Sequence, residues 1–243
     1  MQIVISIDDT DNLESRGTGE IASLIAEGLT EKGWGTASLV TRHQLLVHPD
    51  IPYTSHNSAM CFAAEIDEGA WEQVIGFAGE FLRRESAEGS DPGLCVVSLP
   101  GLRHTPELVE FGRRAKREVI AMPEAYQLAE RLGVHLSEHG GTGQGIIGAL
   151  AGAGLRLWGN DGRMKGSLTF ARETVSVTEL LAHPNVDEVR CVTGVQVSAR
   201  DLVRLGEKPK TVLIGGASVL LVSAAESADV AWQTLHRRQL KDY

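Results

Sequence analysis

The chain has 243 residues, enough for one large domain or two small ones, and an ordinary globular composition: 42% hydrophobic, 23% charged and 5% aromatic. Its 23 basic residues against 32 acidic ones give a formal charge of -9. That excess argues against a protein that coats nucleic acid nonspecifically, because neutralising phosphates needs a basic surface.

Residues 2–7 are apolar, β-branched and run into acids, which predicts a buried strand. After a loop over 8–17, Ile21, Leu24, Ile25 and Leu29 fall at helical spacing until Gly33 stops them. Residues 36–41 read as a second strand. Pro49, Pro52 and the polar stretch 54–58 read as a loop, and 59–66 as another strand. A helix is expected over 70–85, with Val74, Phe77, Phe81 and Leu82 on one face. A break at 88–93 precedes a short apolar strand at 94–99. Residues 107–133 are helix-rich, with Pro123 starting the second piece. A helix over 146–153 follows a glycine-rich loop. Beyond residue 155 the pattern turns to short strands at 168–170, 188–197 and 211–221, with a last helix over 229–239. The expected fold is α/β (α+β), an α/β body followed by a β-rich C-terminal part.

Cys61, Cys95 and Cys191 are far apart, odd in number and not in CxxC pairs. Neither a disulfide scaffold nor a structural zinc site is expected, and a reducing, cytoplasmic compartment fits. The N-terminus carries no basic segment before an apolar run, so no signal peptide is read there. The apolar run over 212–225 is about 14 residues with a Gly-Gly break, short of the roughly 20 that span a bilayer.

Three constellations carry chemistry. Asp8, Asp9 and Asp11 place three carboxylates within four residues at the end of the first strand, where they repel one another unless a cation neutralises them. Hard oxygen ligands at a strand's carboxyl end suit Mg²⁺ held together with substrate phosphates. A solvated, helix-capping turn is the alternative. Next, Gly140, Gly141, Thr142, Gly143, Gln144 and Gly145 lead into a helix. Their backbone N–H groups and the helix start suit an anion, though the pattern is neither GxxxxGK[ST] nor GxGxxG. A tight turn with Thr142 as N-cap accounts for it equally. Third, Thr18 sits between two glycines where the first helix begins, as an N-cap or as a hydroxyl beside a bound phosphate.

Other residues read more plainly. His43, His48 and His56 read as a polar surface loop, Cys61 and Cys95 as core, and Arg113, Arg114, Lys116 and Arg117 as a solvated helix face. Arg42, Arg163 and Lys165 are the cations that could reach phosphates.

The segments SIDDTD near the N-terminus and GGTGQGIIGALAGAG at 140–154 resemble the opening motif and the glycine-rich segment, usually GNGRGLIGALAAIG, of the TiaS family, the archaeal tRNA-isoleucine 2-agmatinylcytidine synthetases. Between them, Pro49-Asp50-Ile51-Pro52 and Asp91-Pro92-Gly93 fall where the family has a proline-flanked loop and a DPG or NPG turn. The resemblance covers about residues 2–155. It implies a kinase-like domain packed with a ferredoxin-like domain, Mg²⁺–ATP on Asp8, Asp9 and Asp11, and a phosphate-accepting threonine at Thr18. It also implies an ATP-consuming step in which a tRNA cytidine is activated as a phosphate ester and displaced by agmatine.

The departures are as specific. The family's OB-fold and zinc ribbon find no counterpart in this sequence. The TRGN-like stretch reads Thr54-Ser55-His56-Asn57, without its arginine, and Gln144 stands in the place of another. Residues 1–155 are therefore expected to form a TiaS-like nucleotide-binding α/β region and 156–243 a β-rich region. The expected activity is an ATP- and Mg²⁺-dependent phosphotransferase or ATPase of unnamed acceptor, with Lys165 or Arg42 as the transition-state cation. The alternative is a non-catalytic nucleotide- or metabolite-binding protein. No membrane partner is expected, nor tRNA binding by this chain alone. A second copy or a separate RNA-binding chain are the partners left open.

Overall fold

A computed structural model describes residues 1–51, 56–226, 229–241 and 243. The chain divides into two units, Met1–Trp158 and Gly159–Tyr243.

The first unit runs β1 (Gln2–Asp8), α1 (Thr18–Glu31), β2 (Gly35–Ala37), β3 (Thr41–Gln44), β4 (Ser58–Ile66), α2 (Trp71–Glu85), β5 (Gly93–Ser98), α3 (Thr105–Ala115), α4 (Met122–Leu132), β6 (His135–Glu138) and α5 (Gly145–Trp158). Its sheet has the order β6-β5-β1-β4-β3, with β2 also on β4, and every pairing is antiparallel. Strand β4 therefore lies between β1 and the β2/β3 segment, and β5 lies on the other side of β1. This is the split βαβ order of a ferredoxin-like motif, completed by residue 98.

Alternation along β1 explains the layers. Ile3, Ile5 and Ile7 face α1 and α2, packing with Ile21, Ile25, Val74 and Leu82. Val4 faces the other way, into a second cluster with Leu108, Phe111, Leu128, Ile146 and Leu150 from α3, α4 and α5. The sheet is thus covered on both faces, which is why β1 and β5 read as continuous apolar runs.

Helix α5 approaches closely because it is built of glycine and alanine. A Cβ at Gly154 would collide with the Leu108 carbonyl, and one at Gly152 with the Ser6 hydroxyl. Gly76, in α2, has nothing near the position its Cβ would take. Opposite outcomes follow for one chemical change. Gly154→Ala is expected to destabilise the unit by about 1–3 kcal/mol through overpacking. Gly76→Ala should stabilise it by about 0.5–1 kcal/mol through helix propensity. Urea titration of the two variants checks both signs.

The second unit comprises β7 (Arg163–Met164), β8 (Thr174–Ser176), α6 (Val177–Leu181), β9 (Glu188–Cys191), β10 (Leu202–Arg204), β11 (Val212–Ile214), β12 (Ala217–Ala224), β13 (Trp232–Thr234) and a closing 3-10 turn at Arg237–Leu240. Its strands follow the order β7-β11-β12-β13-β10-β8, with β9 parallel to β12. α6 carries a full capping box between Ser176 and Glu179.

The C-terminal part is β-rich as expected, but four sequence expectations fail in detail, one of them the single strand over 211–221, which is the hairpin of β11 and β12 turning at Gly215 and Gly216. Residues 168–170 form no strand. Strand β9 ends at Cys191 rather than 197, where Gly194 takes a φ of 77° in the following turn. The helix expected over 229–239 is instead strand β13, whose Trp232 pairs with Ala224 and Val203, followed by the 3-10 turn. The strand expected at 36–41 also splits into β2 and β3. Among the described residues no helix is long and apolar enough to cross a membrane.

Candidate functional site

Asp8 is the last residue of β1, and alternation turns its side chain to the α5 face, beyond Val4 and Ser6. The helix makes room there with Gly148, where a Cβ would collide with the Asp8 carboxylate. Asp8 is 8% exposed. Burial, followed by repulsion from Asp9, pushes its carboxyl up to about 8, against the pull of the Asp9 backbone N–H. Asp9 takes a left-handed φ of 51°, which turns the chain sharply off the strand. Burial and the charges of Asp91 and Asp11 raise its carboxyl to about 6.

Asp8, Asp9 and Asp11 line one cleft of about 270 Å³, together with Gly17, Thr18, Arg42, Ser58, Gln144, Gly145 and Gly148. Two helix starts, those of α1 and α5, therefore border the acidic loop. Thr18 is not the N-cap that its position suggested. Gly17 caps α1 without a side-chain hydrogen bond, and Thr18 is the first helical residue. Thr18 is 5% exposed and lines the cleft. Arg42 reaches in from β3. Its Nε and Nη2 donate to Ser58 Oγ at 3.1 and 3.0 Å, and Ser58 donates in turn to Gln44 Oε1 at 3.2 Å. Leu45, Ile51, Ala115, Val119, Ile120 and Ile147 give the cleft an apolar side. Its described lining holds five acids, Asp8, Asp9, Asp11, Asp50 and Glu118, against one guanidinium.

The glycine-rich loop divides in two. Gln144 and Gly145 line the cleft, whereas Gly140, Gly141, Thr142 and Gly143 do not. Thr142 neither caps α5 nor offers its amide to a ligand: its N and Oγ1 both donate to the buried Asp91 carboxylate, each at 2.5 Å. A Cβ at Gly141 would collide with Asp91, and one at Gly143 with Glu138. Among the described residues no group of three or more His, Cys, Asp or Glu side chains is arranged to hold a metal alone.

The remaining sequence candidates scatter. Arg163 and Lys165 belong to the second unit, on and just after β7. His43 is fully buried on β3, its Nε2 2.7 Å from Thr41 Oγ1, so it is no surface-loop residue. His56 and Asn57 line the cleft, while Thr54 and Ser55 lie outside the described residues, as does Pro52. Cys61 and Cys95 are buried core, held as thiols by desolvation. The basic strip is a paired surface: Arg113 and Arg117 meet Glu110, and Arg114 meets Glu118 and Glu124. The residue that the sequence left out of the loop's account is Asp91, whose buried carboxylate holds Thr142 and whose only signal was the DPG turn.

No protein-family model matches the chain. It is 34% identical over 160 residues to the tRNA-isoleucine 2-agmatinylcytidine synthetase TiaS of Methanosarcina acetivorans, an alignment covering 64% of this chain and 36% of that protein. The crystal structure of apo TiaS matches with a TM-score of 0.53 at 25% identity, over 63% of this chain and 35% of the other. The complex of TiaS with its isoleucine tRNA and ATP matches with a TM-score of 0.56 at 22% identity, over 80% of this chain and 48% of the other, a likeness of fold. The chain spans about a third of the length of the curated relatives it matches. Over about 64% of its length this chain is homologous to TiaS, and it is a TiaS-like protein.

Proposed function

We propose that the cleft binds ATP with Mg²⁺ and transfers or hydrolyses its terminal phosphoryl group, as one step of tRNA-modification chemistry. The observation that carries this reading is the convergence of Asp8, Asp9, Asp11, Thr18 and Arg42 on one cleft. A triphosphate would be repelled by five acids facing one guanidinium unless a cation came with it. The donor set fits that cation: Asp8 and Asp9 are hard oxygen ligands whose ionisation is suppressed by burial and by the charges of neighbouring aspartates, and a divalent ion relieves both. With fewer than three converging protein ligands, the phosphate oxygens would complete its shell. Bound there, Mg²⁺ supplies neutralisation of phosphate charge.

The chain's own groups then have defined tasks. Arg42, braced by Ser58 and Gln44, faces the phosphates. The apolar side formed by Leu45, Ile120 and Ile147 suits the base and excludes water. Thr18, which lines the cleft at the start of α1, presents its hydroxyl as acceptor. In that transfer the Thr18 oxygen bonds to the γ-phosphorus, the bond to the β-phosphate oxygen breaks, ADP leaves, and the hydroxyl proton passes to a neighbouring carboxylate.

A thermal-shift screen of nucleotides with and without Mg²⁺ tests the reading. ATP with Mg²⁺ at a hundred times its Kd should stabilise the fold by about 2.7 kcal/mol, with little shift from either component alone. No shift with any nucleotide would leave a metabolite-binding protein with an acidic turn. A shift without ATP consumption would make the chain a nucleotide-binding module.

A further inference from the structure

Arg42 is the one guanidinium of the cleft's described lining, and its orientation traces to a residue outside that lining. Strands β3 and β4 pair antiparallel with Gln44 opposite Ser58 and Arg42 opposite Met60, so these four side chains share one face. Arg42, Ser58 and Met60 line the cleft, and Gln44 does not. The Nε–H and Nη2–H of Arg42 both end on the single Ser58 oxygen, at 3.1 and 3.0 Å, which holds that edge of the planar fork against β4. Ser58 is 7% exposed, and its one proton goes to Gln44 Oε1 at 3.2 Å.

Gln44 fixes the direction of this chain of hydrogen bonds. Its Nε2 donates to the Asn57 carbonyl at 2.7 Å and to the Leu45 carbonyl at 3.2 Å. Reversing the amide would set Oε1 against those two carbonyl oxygens, so Oε1 faces Ser58. The Asn57 end is pinned in turn: its carbonyl also accepts from Leu45 N at 2.9 Å, and its Nδ2 donates to the Leu46 carbonyl at 2.6 Å. With its proton drawn to Gln44, the Ser58 hydroxyl presents both lone pairs to Arg42. Without Gln44 that hydroxyl would turn freely and could set its proton against the guanidinium. We propose that Gln44 is a positioning residue: by orienting the Ser58 hydroxyl, it holds Arg42 in the pose that meets a bound phosphate. This rests on the reading of the cleft as a Mg²⁺–ATP site.

A residue that acts through Ser58 has no effect once Ser58 is gone, and a double-mutant cycle reads this. Ser58→Ala is expected to weaken MgATP binding about tenfold and Gln44→Met about fivefold, while the double variant matches Ser58→Ala alone. Calorimetric titration reads the affinities. The Arg42 Nε–H resonance, assigned by its loss in Arg42→Lys, reads the brace without any ligand. It should be protected from exchange with solvent in wild type and exposed in both single variants. Gln44→Glu still accepts the Ser58 proton and loses only the donors to the two carbonyls, so the resonance should stay protected there. That variant decides the matter if Gln44→Met does not fold, and an exposed Arg42 Nε–H in it would overturn the proposal. Additive losses in the double variant would overturn it as well, leaving Gln44 a structural residue of the β3–β4 pair. So would a Gln44→Met protein with wild-type affinity and a protected Arg42. If wild type binds no MgATP, the nucleotide reading falls while the resonance still decides whether Gln44 positions Arg42.

Discussion

Asp9→Asn is expected to weaken MgATP binding by about a hundredfold, close to 2.7 kcal/mol, while the ligand-free protein becomes more stable. Asparagine is well tolerated at positive φ, so the turn at residue 9 survives and only the charge is lost. Asp8→Asn should act in the same direction. The sign of the stability effect follows from proton linkage. Asp8 is raised from 3.8 to about 8 and Asp9 from 3.8 to about 6, so the folded state holds protons that the unfolded chain releases. Their contribution to stability is complete below about pH 4. It is lost as pH climbs through 6 for Asp9 and through 8 for Asp8. The stability gap between Asp8→Asn and wild type should therefore widen from pH 4 to pH 8, reaching on the order of 2 kcal/mol or more. Urea titrations of the apo proteins across that range read it directly. A gap that stays flat with pH would mean that Asp8 is ionised at no cost, and the argument for a cation would lose its basis. Unchanged MgATP affinity in Asp9→Asn would remove Asp9 from the site altogether.

Thr18→Ala is expected to abolish ATP turnover at temperatures well below the melting transition, with Thr18→Ser partly active. Because Gly17 is the helix cap, alanine at position 18 removes no capping bond, and the loss of stability is that of one buried methyl, about 1 kcal/mol. Turnover measured on the folded protein is what makes the experiment decisive. A threonine of purely structural role would keep its activity when replaced. Intact-mass measurement after incubation with ATP and Mg²⁺ should show one added phosphoryl group in wild type and none in Thr18→Ala. Normal turnover by the alanine variant would show that the acceptor is another group, and the acidic cleft would stand without it.

The first unit was legible because its signals are local and redundant. Ile3, Ile5 and Ile7 alternate, Ile21, Ile25 and Leu29 repeat at helical spacing, and Gly33 and Gly133 sit at positive φ where α1 and α4 end. The second unit was less legible because its elements are short and fixed by neighbours. Residues 232–234 have no strand pattern strong enough to outweigh the helical look of 229–239, and only pairing to β12 and β10 makes them a strand. In the site, the three aspartates announced themselves by charge density. Asp91 did not, since one carboxylate before a proline is an ordinary turn residue. Its hydrogen-bond partner, Thr142, lies 51 positions away. The glycine run showed that something must approach the backbone closely, but composition cannot say whether that is a ligand or another part of the chain. His43 shows the same limit: with no periodic context, a histidine in a three-layer core looks like one in a loop.

The two borders of the cleft, the acidic loop with the start of α1 and the start of α5, are supplied by residues 8–19 and 144–148, opposite ends of the first unit's sequence. The split βαβ sheet is complete by residue 98, so its hydrogen bonds can form before α5 exists. Docking α5 onto β1 then closes a loop of more than a hundred residues, a slow step of high contact order. During synthesis, Asp8 thus waits as a solvated carboxylate until the last helix of the unit arrives and buries it. A ligand bound to the finished cleft would bridge segments that meet only at the end of folding. It would slow unfolding and leave the early rate of folding untouched.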